Sequence, residues 1–289
     1  MRWTPRGRSA NLEDRRGQRG VRMAGAGGLG VGGAVVLLVL SLLFGRNLFD
    51  GGGGAGGPGP TTTADGDVAP IQAGPEEERL VEFVSFVLDD AQRTWARLLP
   101  ASHNEQYRDA RLVVFRDAVQ SSGCGVGQSA MGPFYCPLDE RVYIDLGFYD
   151  DLQRRFGAPG EFAQAYVIAH EIGHHVQNLL GTGARVRQMQ EARPQLANEL
   201  SVRLELQADC YAGIWGNSTD QRRILEPGDV EDGLNAAASI GDDRIQERTT
   251  GGVRPESFTH GTSAQRVSWF RRGLESGDPR TCDTFEGGR

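Results

Sequence analysis

The chain has 289 residues, of which 38% are hydrophobic and 24% are charged, and this composition excludes a fully disordered protein. The net charge of −7 is unevenly distributed, because residues 1–46 carry a net charge of +6 and the rest of the chain carries −13. Phosphate binding needs a basic face, so the acidic main part of the chain argues against nucleic acid as a partner.

The first predicted element is a membrane-spanning helix over residues 23–45, preceded by a basic tail over residues 1–22. The stretch holds no charged residue, and about 20 mostly apolar residues suffice to cross the hydrocarbon core. Seven arginines precede it and only Arg46 follows closely, which predicts a cytoplasmic N-terminus and an extracytoplasmic main domain. We therefore expect a single-pass protein of the cell membrane. A cleaved secretory signal and a buried helix of a soluble domain are the alternatives.

A segment rich in glycine, proline and threonine follows over residues 46–75. Such a composition cannot bury a core, so we expect a flexible tether. The folded domain is predicted over residues 76–289, which is an ordinary size for one enzyme domain.

The hydrophobic spacing within this domain predicts several helices and a small sheet. Strands are predicted over residues 111–115 and 141–146, with a glycine-rich loop over residues 121–137 between them. Helices are predicted over residues 77–99, 160–180, 194–215, 230–248 and 262–274. This combination indicates an α+β fold that is mostly helical.

The clearest chemical signal is the sequence His170-Glu171-Ile172-Gly173-His174, which lies in the predicted helix over residues 160–180. Histidines four residues apart project from the same face of a helix, so both imidazoles can reach one zinc ion. Glu171 then lies close to the open position of the metal, where a general base is needed. The motif predicts a catalytic zinc site, since a structural site has no need of this glutamate.

A third protein ligand is expected from another element, because a catalytic zinc ion takes three protein ligands and leaves one position for water. The next predicted helix offers Glu205, with Asp209 one turn further on. We expect Glu205 to bind the metal and Asp209 to accept a hydrogen bond from a ligand histidine. Glu199 is the competing ligand, and Glu205 is favoured because Asp209 follows it by one turn.

The residues after the motif exclude the metzincins, because Gln177 and Leu180 stand where that class requires glycine and histidine. The pattern H-E-x-x-H followed by E-x-x-A-D resembles the gluzincin peptidases. Further blocks extend the likeness over residues 2–3, 9–17, 133–137, 169–177, 205–213 and 258–266. On these blocks the chain resembles the bacterial predicted neutral zinc metallopeptidases of the YpfJ type. The resemblance implies a membrane-tethered zinc peptidase fold.

His260 is a further candidate for the catalytic site. It precedes a predicted helix cap in a turn that contains glycine, where a side chain can project into a cleft. The residue is a candidate for polarising the substrate or holding a developing oxyanion. The alternative is a structural hydrogen bond within the turn.

The four cysteines suit an oxidising compartment, and the absence of a C-x-x-C motif argues against a separate structural zinc site. Four cysteines allow three pairings. We favour Cys124–Cys136, which would close the glycine-rich loop, and Cys210–Cys282, which would tie the C-terminal tail to the ligand helix. The alternative is that all four are reduced and buried.

These patterns together predict a zinc peptidase with one zinc ion per chain and a peptide or protein substrate. Glu171 would take a proton from the attacking water and pass it to the leaving amine. The strand over residues 141–146 is a candidate to pair with an extended substrate. Two other functions stay open, namely a binding or scaffold domain with a structural zinc ion, and a zinc amidase acting on another amide such as cell-wall peptide.

Overall fold

The computed structural model describes residues 1–18, 73–129 and 132–285. The predicted spanning helix over residues 23–45 lies outside the described residues, and so does most of the predicted tether over residues 46–75. The account of the fold therefore concerns the N-terminal segment and the domain that follows the tether.

The secondary structure is a mixture of helices and short strands. The strands are β1 (Leu12–Asp14), β2 (Arg111–Phe115), β3 (Ala118–Gln120), β4 (Val126–Gln128), β5 (Phe134–Cys136) and β6 (Arg141–Asp145). The helices are α1 (Pro75–His103), α2 (Gly147–Arg154), α3 (Glu161–Leu179), α4 (Thr182–Ala192), α5 (Ala197–Gln221), α6 (Asp229–Ser239), α7 (Asp242–Thr250) and α8 (Ser263–Ser276). A mostly helical α+β fold is what the hydrophobic spacing predicts.

The main sheet has the strand order β1-β2-β6-β5. Strands β1, β2 and β6 are parallel, whereas β5 runs antiparallel to β6. In β2 every residue after Arg111 is buried, which explains its continuous run of apolar residues. Such runs are typical of parallel strands that are covered on both faces. Strands β3 and β4 form a separate antiparallel pair.

The helices pack around α3, which contacts α1, α5 and α6. The closest helix pair is α5 with α8, where two glycines allow the backbones to touch. A Cβ atom on Gly273 would lie 2.0 Å from the carbonyl oxygen of Cys210, and a Cβ atom on Gly213 would lie 2.0 Å from that of Phe270. No side chain fits at either position, so the glycines fix the spacing of the two helices.

Both predicted disulfides are confirmed. Cys124 is bonded to Cys136, with a Cα–Cα distance of 5.8 Å, and closes the loop that contains β4. Cys210 is bonded to Cys282, with a Cα–Cα distance of 5.6 Å, and ties the end of the described chain to α5.

Residues 1–18 belong to the folded domain, and this corrects the predicted topology. Strand β1 pairs in parallel with β2, so that Leu12 lies opposite Leu112. The ring of Trp3 packs edge-on against Phe83 at 5.3 Å between centroids, and its Nε1 donates a hydrogen bond to Glu161. A segment that forms a strand of the domain's own sheet cannot lie across a membrane from that sheet.

The prediction of a single-pass protein of the cell membrane, with a cytoplasmic tail and an extracytoplasmic domain, is therefore wrong. Among the described residues, moreover, no helix combines the length and the apolar character that crossing a bilayer requires. The charge asymmetry that suggested the topology has another physical cause in the fold. Several of the N-terminal arginines pair with acidic side chains, as Arg8 does with Asp14 and Glu78.

Arg16 is the charged anchor of the N-terminal segment. Its buried guanidinium lies 2.7 Å from Asp14, 2.9 Å from Glu77 and 2.8 Å from Glu78. We expect Arg16→Gln to lower the free energy of unfolding by about 2 kcal/mol. This is less than the roughly 3–5 kcal/mol of a fully buried pair, because the carboxylates are partly exposed.

Urea unfolding of the full chain measures this effect. Arg6→Gln is the matched control, since Arg6 is an exposed arginine of the same segment and its loss should leave stability unchanged. Equal unfolding midpoints for the Arg16 variant and the parent protein would show that the ion pairs of Arg16 do not contribute to stability.

Candidate metal centre

Helices α3 and α5 approach each other closely at Gly173. A Cβ atom on this residue would lie 2.9 Å from the carbonyl oxygen of Ala208 on α5. A side chain at position 173 would therefore push the helices apart. The close approach brings the face of α3 that carries His170 and His174 next to Glu205 on α5.

Three side chains meet at this point in the arrangement that the sequence predicts. His170, His174 and Glu205 offer ligand atoms that all lie within 4.8 Å of one another. The Nε2 atom of His170 lies 3.2 Å from Oε2 of Glu205, and the Nε2 atom of His174 lies 3.4 Å from Oε1. Ligand atoms about 2.0–2.2 Å from a tetrahedral zinc ion are roughly 3.4 Å apart, so the donors fit zinc in both chemistry and spacing.

The competing ligand, Glu199, lies elsewhere. It is an exposed residue on α5, and its carboxylate accepts a hydrogen bond from Arg203 at 2.7 Å. Among the described residues it does not belong to any group of potential metal ligands.

Asp209 holds the ring of His170, as expected from its position one turn after Glu205. Its Oδ1 atom lies 2.9 Å from Nδ1 of His170, and Arg266 donates hydrogen bonds of 2.9 Å to each of its oxygens. Burial acts to raise the pKa of Asp209, but the charges of Arg266 and His170 hold it below its ordinary value. An ionised Asp209 accepts a hydrogen bond from the Nδ1–H group of His170, so Nε2 is the ring nitrogen that faces Glu205 and can bind a metal ion when it carries no proton.

Glu171 lies beside these donors on α3 and is buried. Its Oε2 atom has no hydrogen-bond partner among the described residues. Burial raises the pKa of Glu171 above its ordinary value, although the nearby charges of His174 and His170 oppose this effect. A buried carboxylate with a raised pKa and an unused oxygen can accept a proton from a molecule bound next to it.

The cluster as a whole attracts positive charge. Burial disfavours the charged form of His170, yet Asp209 and Glu205 raise its pKa to about 10. Burial would also raise the pKa of Glu205, but the charge of His174 and the hydrogen bond from His170 hold it well below the ordinary value. Two imidazoles among buried carboxylates suit a divalent cation, which competes with protons for the same nitrogen atoms.

His260 lies in the turn before α8, and Asp242 holds it there. Its Nδ1 atom lies 3.2 Å from Oδ1 of Asp242, whose Oδ2 accepts the backbone N–H groups of Thr259, His260 and Gly261 at 2.7, 2.6 and 3.0 Å. Burial acts to lower the pKa of His260, but the hydrogen bond to Asp242 and the charge of Glu205 raise it. The side chain remains 38% exposed, so the ring can contact a bound molecule.

Strand β6 cannot pair with a substrate, contrary to the expectation for residues 141–146. It lies between β2 and β5, so both of its edges are already hydrogen-bonded. The edge strands of the main sheet are β1 and β5, and β5 packs against α3. There the hydroxyl of Tyr135 lies 2.9 Å from Nδ1 of His175 and accepts a hydrogen bond from Asn178.

Three residues with contacts in the site were not predicted. Arg266 and Asp242 act on Asp209 and His260, and Gln177 lies 2.8 Å from Nδ1 of His174. Gln177 follows His174 by three residues on a helix, so its spacing is a signal that was available in the sequence. Arg266 and Asp242 come from other helices, and no local pattern connects them with the motif.

The sequence resembles known proteins over nearly its whole length. Residues 1–285 match the family described as "Putative neutral zinc metallopeptidase". A protein of Escherichia coli strain K12, named "Uncharacterized protein YpfJ", is 48% identical over 290 residues, which cover 99% of each chain. "Uncharacterized protein Mb2605" of Mycobacterium bovis is 43% identical over 231 residues, covering 76% of this chain and 75% of its own. No solved structure shows a significant match.

Proposed function

Because this chain belongs to the neutral zinc metallopeptidase family, we propose that it hydrolyses peptide bonds with one zinc ion held by His170, His174 and Glu205. The observation that carries the proposal is the buried Oε2 atom of Glu171, which has no partner among the described residues and lies beside the three donors. A structural metal site would leave such a carboxylate at a cost in desolvation and without a role. A hydrolytic site needs it as a base.

A zinc ion bound there would polarise the scissile carbonyl as a Lewis acid and lower the pKa of water to about 7. Glu171 accepts a proton at Oε2 from the attacking water and then donates it to the nitrogen of the leaving amine. Asp209, kept ionised by Arg266, holds the ring of His170 in a fixed direction. His260 donates a hydrogen bond to the developing negative charge on the carbonyl oxygen, and Asp242 orients its ring.

The position of β5 supports an extended peptide as the substrate. An added strand satisfies the backbone of a peptide without reading its sequence, and it needs the edge of a sheet. Strand β5 provides such an edge, and it packs against α3, the helix that carries His170 and His174.

A diverse peptide library incubated with the purified full chain tests this function. We expect cleavage that a chelator abolishes and that added zinc restores. Cleavage confined to amides of cell-wall peptides would favour the amidase, and zinc binding without any hydrolysis would favour the scaffold domain. Either result would overturn the proposed peptidase activity.

The role of His260 has its own expected result. His260→Ala should lower kcat by about 10²–10³-fold, the cost of removing one donor to a developing oxyanion, and leave the zinc content unchanged. Steady-state kinetics on a cleaved peptide and metal analysis measure the two quantities. His103→Ala is the control, since that exposed histidine lies at the end of α1. An unchanged kcat would mean that His260 has only a structural role, as a hydrogen-bonding residue of its turn.

A further inference from the structure

A chain of amide hydrogen bonds joins His174 to the C-terminal part of the molecule. Nδ1 of His174 lies 2.8 Å from Oε1 of Gln177. The Nε2 atom of Gln177 donates to the carbonyl oxygen of Leu204 at 2.7 Å and to Oε1 of Gln207 at 3.1 Å. The Nε2 atom of Gln207 donates in turn to the carbonyl oxygen of Cys282 at 3.0 Å. The chain thus crosses from α3 over α5 to the last described residues.

The direction of these hydrogen bonds determines that Nδ1 of His174 carries a proton. Both hydrogens of the Gln177 amide are used by oxygen acceptors, so the amide oxygen faces His174. That oxygen can only accept, and His174 must therefore carry its proton on Nδ1. The Nε2 atom on the side of Glu205 is therefore the ring nitrogen that a metal ion can take in place of a proton. The amide chain selects the tautomer of His174 that can bind a metal ion.

Burial makes this arrangement rigid. Gln177 is 1% exposed and Gln207 is 5% exposed, so neither amide can exchange its partners for bulk water. Leaving a buried amide without a partner costs about 1–3 kcal/mol, which disfavours every alternative orientation. This series of amide hydrogen bonds therefore keeps its geometry as long as its last acceptor, the carbonyl group of Cys282, stays in place.

Two links clamp that last acceptor onto α5. The disulfide between Cys210 and Cys282 is a covalent link directly after Asp209. The hydroxyl of Thr284 donates a hydrogen bond to the carbonyl oxygen of Arg203 at 2.7 Å, two residues before Glu205. The C-terminal segment, residues 279–285, is thus attached to the helix that carries the proposed third ligand.

We propose that the C-terminal segment is part of the apparatus that positions the metal centre. Gln177 and Gln207 are positioning residues that set His174 for metal binding, and the disulfide between Cys210 and Cys282 holds their last acceptor. This inference rests on the proposed zinc centre. It makes the two histidines unequal, because His170 is oriented by a charged aspartate and His174 by neutral amides that depend on a covalent crosslink.

The first test measures zinc affinity of the full chain by competition with a chromophoric chelator. Gln177→Met keeps the length of the side chain and removes its hydrogen bonds, so we expect zinc to bind about 10–100-fold more weakly. Gln92→Met is the matched control, since Gln92 is 3% exposed on α1 and has no hydrogen bond to the proposed site. Its affinity for zinc should equal that of the parent protein.

The second test is a mutant cycle on the disulfide. Gln207→Met and the pair Cys210→Ser with Cys282→Ser should each weaken zinc binding by up to about tenfold, the lower end of the same range. A variant that combines Gln207→Met with the two serine substitutions should bind zinc as weakly as Gln207→Met alone, because both changes interrupt the same series of hydrogen bonds. The pair Cys124→Ser with Cys136→Ser is the control and should keep the parent affinity.

The outcomes separate this inference from the proposed function. Unchanged affinity in Gln177→Met, or additive losses in the cycle, would overturn the positioning role while leaving the zinc centre in place. A parent protein that binds no zinc would overturn both. If the serine pair at positions 210 and 282 fails to fold, the two glutamine variants still decide the question, because they leave the disulfide intact.

Discussion

Glu171→Gln should lower the turnover of a cleaved peptide by about 10²–10⁴-fold, the range typical of a lost general base. The amide has the size and shape of the carboxylate but cannot accept a proton at neutral pH. Because Glu171 is not among the three proposed ligands, the variant should bind zinc as the parent does. Steady-state kinetics and metal analysis on the same preparations measure both effects.

Glu199→Gln is the matched control for this variant. Glu199 is an exposed glutamate on the neighbouring helix α5, where its carboxylate pairs with Arg203. We expect its turnover to match that of the parent protein. Full activity in Glu171→Gln would eliminate the proposed base, and equal losses in both variants would point to a general effect of the substitution.

His174→Ala should remove most of the zinc that the parent protein holds, which we expect to be about one ion per chain. Catalytic zinc takes three protein ligands, and His170 with Glu205 alone would leave the ion with too few. Metal analysis after dialysis against a weak chelator measures the effect. Unchanged zinc content would mean that the ligands are assigned wrongly.

His175→Ala provides the contrast, because His175 directly follows His174 and points away from the proposed ligands. Its Nε2 atom contacts the carbonyl oxygen of Arg108 at 2.6 Å, and its Nδ1 atom contacts the hydroxyl of Tyr135 at 2.9 Å. We expect this variant to keep its zinc and to lose stability instead, by about 1–3 kcal/mol for the buried partners left without hydrogen bonds. Comparing His174→Ala with His175→Ala thus distinguishes a histidine that binds the metal from a neighbouring histidine that only stabilises the fold.

The proposed ligands were predictable because helical spacing is a local property. His170 and His174 share one face of α3, and Glu205 and Asp209 share one face of α5. The spacing within each helix was therefore enough to predict the residues that it contributes to the cluster. Arg266 could not be predicted in the same way. It reaches Asp209 across 57 residues of sequence, and only the packing of α8 against α5 brings the two together.

The errors in the predicted elements have similar causes. The predicted helix over residues 230–248 is divided between α6 and α7, because Gly241 precedes α7 and Asp242 uses its carboxylate to hold the turn of His260. The glycine-rich loop contains β4 and β5, which are three residues long and too short for a periodic signal. The strand over residues 111–115 was predicted with its observed bounds, since its apolar residues are continuous.

Strand β1 was missed because its sequence, Leu-Glu-Asp, has no apolar run, and its partner lies 100 residues away. This distance has a consequence for how the chain acquires its structure. Closing a loop of 100 residues costs more conformational entropy than closing the 30-residue loop between β2 and β6, so we expect β1 to join the sheet after these two strands have paired. Until then, or in any fragment that starts at residue 75, the edge of β2 is unpaired. An apolar strand with an unpaired edge is a template for pairing with another copy, so we expect the N-terminal segment, by covering the edge of β2, to reduce aggregation.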